Sequence, residues 1–309
     1  MIRYLQIILY IAGFFYTSTA QQYVLLGVTQ DAGYPQIGCQ KECCLPVWKD
    51  LSKRKYPVSL AIIDSSAGKW YLIDATPDMK YQIQLFHEVT QSAYPYMPEA
   101  ILLTHAHIGH YTGLIDLGRE AMNAQGLKVY GSRRMKKFIS KNGPWQQLVK
   151  LKNIDVQVFE EKTFDIGSHL KITPLKVPHR DEYTDTYAFE INGKDNTCLY
   201  LPDIDKWQQW SNNIIEVVNR VDIAFIDATF YSGAELNFRR NIAEIPHPFV
   251  VESIDYFKDQ TESFKNKLNF IHLNHTNPLL RSTQERVEIE GLGYRVGEQG
   301  KVYEPRRSQ

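Results

Sequence analysis

Five short apolar runs in this chain each stop at a residue that can hold a metal ion, and that repetition restricts the fold more than any other feature. Ala100-Ile101-Leu102-Leu103 leads into Thr104-His105-Ala106-His107-Ile108-Gly109-His110. Tyr71-Leu72-Ile73 stops at Asp74, Lys176-Val177-Pro178 at His179, Leu199-Tyr200-Leu201-Pro202 at Asp203, and Leu268-Asn269-Phe270-Ile271 at His272. Runs of this length read as buried strands. Strand ends on one edge of a sheet converge, so five imidazoles and one or two carboxylates would line one cleft. Neutral imidazole is the commonest metal ligand, and His-x-His at a strand end aims two rings at one point. Gly109 stands where a carboxylate would complete a familiar two-metal motif.

The composition allows such a cleft a large core. Of 309 residues 43% are hydrophobic, and Lys+Arg and Asp+Glu balance at 35 each. No basic field invites nucleic acid, so the expected partner is a small-molecule or peptide substrate. The first twenty residues stand apart: Arg3, an apolar stretch from Leu5 to Tyr16 that is short for a membrane span, then Ser18-Thr19-Ala20. This reads as a signal peptide cleaved near Ala20, giving an exported protein, periplasmic or secreted; the alternative is an uncleaved membrane anchor. No other membrane segment is expected, and residues 21–309 read as one domain. An oxidising compartment leaves Cys39, Cys43 and Cys44 open to a disulfide or a structural metal, although neighbouring cysteines rarely pair with each other. Cys198, inside an apolar run, reads as a buried thiol.

Periodicity and turn residues predict strands at 23–28, 59–63, 70–73, 128–130, 154–159, 169–177, 186–191, 197–201, 221–226, 268–272, 293–296 and 301–303. Helices are predicted over 78–90, 112–124, 132–140, 206–220 and 248–265. Strands dominate both halves with helices set between them, which fits a sheet sandwich with outer helices better than an all-parallel sheet.

The order and context of the five strand ends resemble the metallo-β-lactamase superfamily, from about Tyr23 to about Glu298. Gly33-Tyr34-Pro35-Gln36 before the cysteines, Val177 to Thr186, and His272-Leu273-Asn274-His275-Thr276-Asn277-Pro278 are similar to its coenzyme PQQ synthesis protein B branch. The resemblance implies an αββα sandwich of two mixed sheets with outer helices. It implies His105, His107 and His179 as ligands of a first metal, His110 and His272 as ligands of a second, and Asp203 as the bridge. Asp74 would be a supporting acid that orients the histidine loop. The usual Asp before the last His is Gly109, which removes one ligand of the second metal; His275 is a candidate to compensate. The branch's Cys-x-Cys-x-x-Cys spacing is altered here, with Lys41 in the middle position and Cys43 extra.

One or two Zn²⁺ ions suit such ligands, and Fe²⁺ suits them as well. The expected activity is hydrolysis by a metal-activated water. The alternatives are an iron-dependent oxygenase in pyrroloquinoline quinone biosynthesis, and a non-catalytic binding protein on the same scaffold. His247, in Ile245-Pro246-His247-Pro248, is a candidate proton donor, and Asp203 a catalytic carboxylate that could instead cap the next helix. His87 and His169 read as structural or solvated. Asp222 and Asp227 read as strand-end or turn residues, with Asp227 a minor candidate for the site, and Arg180, Asp181 and Glu182 as a substrate-contacting or solvated loop. The loop after Gly27 and the segment from Phe230 to Pro248 are expected to wall the cleft through Tyr34, Tyr231, Glu235 and Arg239.

Overall fold

The central strands of each sheet are apolar on both faces, because each sheet is covered twice. In the computed structural model, which describes residues 21–236 and 245–305, β1 (Gln22–Gly27) sends Tyr23 and Leu25 one way and Val24 and Leu26 the other, all buried. Strands of this kind lose the apolar–polar alternation of a half-exposed sheet. The signal-peptide candidate, residues 1–20, and Arg239 lie outside the described residues.

Seven strands form the first sheet: β1, β2 (Ser59–Asp64), β3 (Lys69–Ile73), β4 (Ala100–Leu102), β5 (Leu127–Gly131), β6 (Ile154–Val158) and β14 (Val302–Tyr303), in the order β14-β1-β2-β3-β4-β5-β6. The second runs β13-β12-β11-β10-β9-β8-β7, from β7 (Phe164–Asp165), β8 (Lys171–Val177), β9 (Thr186–Asn192), β10 (Thr197–Leu201), β11 (Ile223–Asp227), β12 (Leu268–Ile271) and β13 (Arg295–Val296). Both sheets are mixed. β3 to β6 are parallel, as are β10 to β13. β1 is antiparallel to β2 and β2 to β3, so β1 runs with β3; by the same count β8 runs with β10.

Three apolar layers follow. Tyr23, Leu25, Ile62, Tyr71, Phe189, Tyr200 and Phe225 fill the space between the sheets. Outside the first sheet, Val24, Trp70 and Leu72 meet α2 (Met79–Val89) and α4 (Arg133–Lys141) through Ile83, Phe86, Met135 and Ile139, with Trp70 stacked on Phe86 at 4.0 Å. Outside the second, Leu199, Ala224 and Ile226 meet α6 (Ile214–Asn219) and α7 (Val250–Tyr256). Each fully buried side chain of this size contributes about 1.5–3 kcal/mol. The result is the αββα sandwich. No helix among the described residues is long and apolar enough to cross a membrane.

Three predicted helices are shorter than their apolar stripes. The one expected at 112–124 begins inside the histidine loop as α3 (Ile108–Tyr111), tightens to a 3-10 helix over Thr112–Leu117 and stops at Gly118. The one expected at 206–220 is a single turn, Trp207–Gln209, then α6, because the Asn213 side chain accepts from the Ile215 N–H and restarts the chain. Trp207 and Trp210 still bury with α6. The one expected at 248–265 splits into α7 and α8 (Glu262–Lys265), which Thr261 caps by accepting from the Phe264 N–H. The loop expected before Leu45 gives way to α1 (Leu45–Lys49), while α5 (Trp145–Lys150), α9 (Gln284–Gly291) and β7 carried too little periodicity to be predicted.

Candidate metal centre

The C-terminal ends of β3, β4, β8, β10, β11 and β12 deliver Asp74, the 104–110 loop, His179, Asp203, Asp227 and His272 to one edge of the sandwich. Hydrogen bonds join the sheets there, among them the Leu273 N–H to Val28 O at 2.9 Å and the Tyr187 N–H to Thr104 O at 3.1 Å. Asp203 is at the centre, buried to 3% exposure. Its carboxylate lies 3.1 Å from His110 Nε2, 3.2 Å from His272 Nε2, 3.4 Å from His179 Nε2 and 3.9 Å from His105 Nε2. It does not cap a helix, since the next helical turn starts after Lys206.

The hydrogen-bond network assigns the tautomers. Asp74 accepts from the Thr104 N–H and hydroxyl at 2.9 Å each, so Thr104 Oγ1 is left to accept from His105 Nδ1 at 3.0 Å. Asp74 Oδ2 also takes His110 Nδ1–H at 2.8 Å. Thr229 gives its proton to Asp227 at 2.7 Å and accepts from His272 Nδ1 at 2.8 Å. His179 Nδ1–H goes to Asp205 at 3.0 Å. All four rings therefore direct Nε2 toward a carboxylate, with Nδ1 engaged elsewhere. His105 Nε2, His179 Nε2, His272 Nε2, Asp203 Oδ2 and Asp31 Oδ1 are buried without a hydrogen bond.

Five buried acceptors facing one another are unfavourable unless a cation lies among them. Their spacing fits one: ligands about 2.0–2.1 Å from a tetrahedral zinc stand roughly 3.3 Å apart. Donor atoms of His105, His107, His179 and Asp203 lie within 4.8 Å of one another, as do those of Asp203, Asp227, His247 and His272, and those of Asp31, His110 and His272. His107 turns Nε2 to Glu182 at 3.0 Å, leaving Nδ1 for an ion, with Arg180 Nη2 3.4 Å from it.

The same geometry sets the charge. Burial lowers the affinity of His105 for a proton, with His110 adding to it, and holds the ring well below the usual histidine value. Burial acts against a charged His110 too, but Asp74, Asp203 and Asp31 outweigh it and raise the ring well above that value. For Asp203 burial is overcome by the surrounding histidines, His272 foremost, and the carboxyl is held well below the usual range. His247 Nδ1 is 2.8 Å from Asp227, which outweighs burial and raises the ring.

A second group lies apart from this centre. Cys39 and Cys43 sulfurs are 3.8 Å apart, Cys43 and Cys44 3.9 Å, and His275 joins them with all four donor atoms within 4.8 Å. These separations exclude a disulfide, which needs about 2.05 Å. They match sulfurs about 2.3 Å from a shared zinc, which lie roughly 3.8 Å apart. His275 thus lies with the cysteines and not among the donor atoms around Asp203. Tyr34 is buried against Cys39, Cys44 and Val47 and walls that group, not the cleft. Tyr231 packs on the outer core, and Glu235 accepts from the Thr276 hydroxyl at 2.6 Å, bracing the loop internally. His87 is structural, stacked on Tyr96 with ring centroids 4.8 Å apart, and His169 is exposed. Cys198 is a buried free thiol.

Sequence reasoning passed over Asp31, Asp205, Thr104 and Thr229 as partners of the centre, and gave Asp227 and Glu182 only minor parts. Asp227 and Asp205 were the findable ones, each at or just past the end of a strand on the same edge.

This sandwich and its edge centre define a metallo-β-lactamase-type protein. Residues 69–272 match a beta-lactamase superfamily domain, and the chain belongs to that superfamily. Along most of its length it is similar to coenzyme PQQ synthesis protein B: 25% identical over 301 residues to that of Xanthomonas oryzae pv. oryzae, covering 90% of this chain and 97% of the relative. The Rhizobium meliloti protein of the same name is 22% identical over 299 residues, covering 90% of this chain and 95% of the relative. Among solved structures, Zn²⁺-bound PqqB from Methylobacterium extorquens has the same fold, with a TM-score of 0.74 at 20% identity over 91% of this chain and 99% of that one. A diphosphatase from the PhnP family gives 0.67 at 19% identity, over 92% of this chain and 96% of the other.

Proposed function

We propose that this protein is an exported metal-dependent hydrolase that cleaves an ester, amide or phosphoester bond in a small-molecule or peptide substrate. The convergence of histidine Nε2 atoms on buried Asp203 carries this reading. Bound at this centre, zinc supplies hydroxide near neutral pH, because it lowers the pKa of its water from about 16 to about 7. His105, His107 and His179 with Asp203 would hold it. Asp74, Asp205, Thr229 and Glu182 fix the rings, so no reorganisation is needed when the ligand set is used. His247 gives its Nδ1–H to Asp227 at 2.8 Å and so exchanges protons only through Nε2, which suits protonation of a leaving group.

A second reading, a part in pyrroloquinoline quinone biosynthesis with iron in place of zinc, is favoured by the similarity to coenzyme PQQ synthesis protein B over 90% of the chain. The signal-peptide reading of residues 1–20 argues against it, since a precursor made in the cytosol would be in another compartment. The missing carboxylate that favoured a non-catalytic binding protein has a counterpart in Asp31.

Metal analysis of the anaerobically purified protein decides among these. Zinc together with hydrolysis of a panel of model esters and phosphodiesters supports the first reading. Iron with oxygen uptake supports the second, and no metal at micromolar supply defeats both. His107→Ala and Asp203→Ala should each lose metal; unchanged stoichiometry in both would overturn the ligand set. The exported protein should begin at Gln21, and an intact Met1 on it would refute cleavage.

A further inference from the structure

We propose that Asp31, on the loop after β1, is a ligand of a second metal ion and takes over the role that Gly109 cannot fill. This rests on the hydrolase reading of the centre and adds a residue to it that the histidine motif does not contain.

The loop is built to hold Asp31 there. β1 runs with β3, so its C-terminal end opens on the edge where the histidines gather. The chain then crosses to the other sheet. Thr29 bridges both Pro57 and Leu273, the Gln30 N–H donates to Leu273 O at 3.0 Å, and the Gly33 N–H closes on Gln30 O at 2.9 Å. Asp31 is thereby clamped beside the residue that follows His272.

Its carboxylate fills the space a side chain at 109 would need. A Cβ on Gly109 would come within 2.2 Å of Asp31 Oδ1, 2.7 Å of Asp31 Cα and 2.8 Å of Asp31 Cγ. These are overlaps with backbone as well as side chain, so the two positions cannot both project into the centre in this arrangement. Glycine at 109 is the condition for Asp31 to be where it is.

The electronics complete the case. Asp31 Oδ1 is buried, makes no hydrogen bond and stands 3.2 Å from His110 Nε2. The proton on His110 Nδ1 is committed to Asp74 at 2.8 Å. Nε2, the ring's remaining coordinating atom, therefore sits between two carboxylates, Asp31 and Asp203, the latter at 3.1 Å. A cation among Asp31, His110, His272 and Asp203 would balance the two carboxylates, and donor atoms of Asp31, His110 and His272 already lie within 4.8 Å of one another.

The test counts metal and does not depend on turnover. Chelator-stripped full-length protein is titrated with Zn²⁺ against a chromophoric competitor, and bound metal is measured by mass spectrometry. Asp31→Ala and the isosteric Asp31→Asn should each lose one equivalent relative to wild type, or weaken it beyond the roughly 10- to 100-fold that an orienting partner costs. Ions at the cysteines cancel in the comparison. Near-UV circular dichroism checks the fold, and Asp31→Asn decides if Asp31→Ala does not fold. Full stoichiometry with wild-type affinity in Asp31→Asn overturns the assignment. His107→Ala separates the two levels: if it also binds as wild type does, the metal centre itself is refuted. If it loses an ion while Asp31→Asn does not, only the role of Asp31 falls.

Discussion

Asp74→Asn exchanges one hydrogen-bond acceptor for a donor at constant size, and its consequence can be followed atom by atom. Asp74 is fully buried with φ at 66°, a left-handed conformation that asparagine tolerates, so the backbone is not asked to change. The amide oxygen can keep the two bonds from Thr104, and with them the tautomer of His105. The amide nitrogen then faces His110 Nδ1, 2.8 Å from the present Oδ2. Two donors cannot share that contact. The relief is for the ring to give up its Nδ1 proton and hold one on Nε2, the atom that faces Asp31 and Asp203. Binding at the second position then requires that proton to leave and the ring to lose its partner. An orienting partner of this kind is worth about 10- to 100-fold in metal affinity, or about 1.4–2.8 kcal/mol. Stability without metal should change little. A charge-assisted hydrogen bond is lost, at about 1.5–3 kcal/mol, but so is a buried carboxylate that burial already pushes toward its neutral form. Competition titration should show one weakened ion and one unchanged, because His107 and His179 have no contact with Asp74. Wild-type affinity for both ions would refute the tautomer argument, and equal weakening of both would refute its selectivity.

Three further outcomes are expected. His247→Ala should lower kcat by about 10²- to 10⁴-fold, the usual worth of a positioned proton donor, with bound metal unchanged; loss of an ion instead would make His247 a ligand. His275→Ala should remove metal from the cysteine group alone, seen as one equivalent lost with hydrolysis retained, whereas loss of hydrolysis with the metal count intact would return His275 to the main centre. Phe225→Ala, between the sheets and edge-on to Tyr303 at 5.0 Å, should cost about 3–5 kcal/mol in urea unfolding, and a cost below about 1 kcal/mol would contradict the packing described.

What could be read in the sequence depended on whether a residue's role is set by its own strand. Asp74, His179, Asp203 and His272 announce themselves, because an apolar run fixes both the strand and the edge at which it ends. The helices were less legible. Trp207, Trp210, Ile214, Val217 and Val218 share one buried layer whether or not one helix carries them, so the stripe did not reveal the break that Asn213 makes. Thr104 and Thr229 were invisible for another reason: a hydroxyl that relays a hydrogen bond leaves no periodicity. His275 was drawn to the wrong centre by its closeness to His272. With His272 at φ 60° and the Asn274 N–H tied to Thr229 O at 2.8 Å, the chain turns away and carries His275 to Cys39, Cys43 and Cys44.

Gly109 shows the limit of reading a motif by spacing. Within the histidine loop it is a deletion, one ligand short. In three dimensions it is half of a pair, because the volume it vacates holds a carboxylate from a residue 78 positions earlier, 31 against 109. The two arrangements exclude each other sterically: a carboxylate can reach the centre from 109 or from 31, and each forbids the other. A residue lost from a metal motif is therefore no measure of an eroded site until the loops crossing the same sheet edge have been searched for the atom that replaces it.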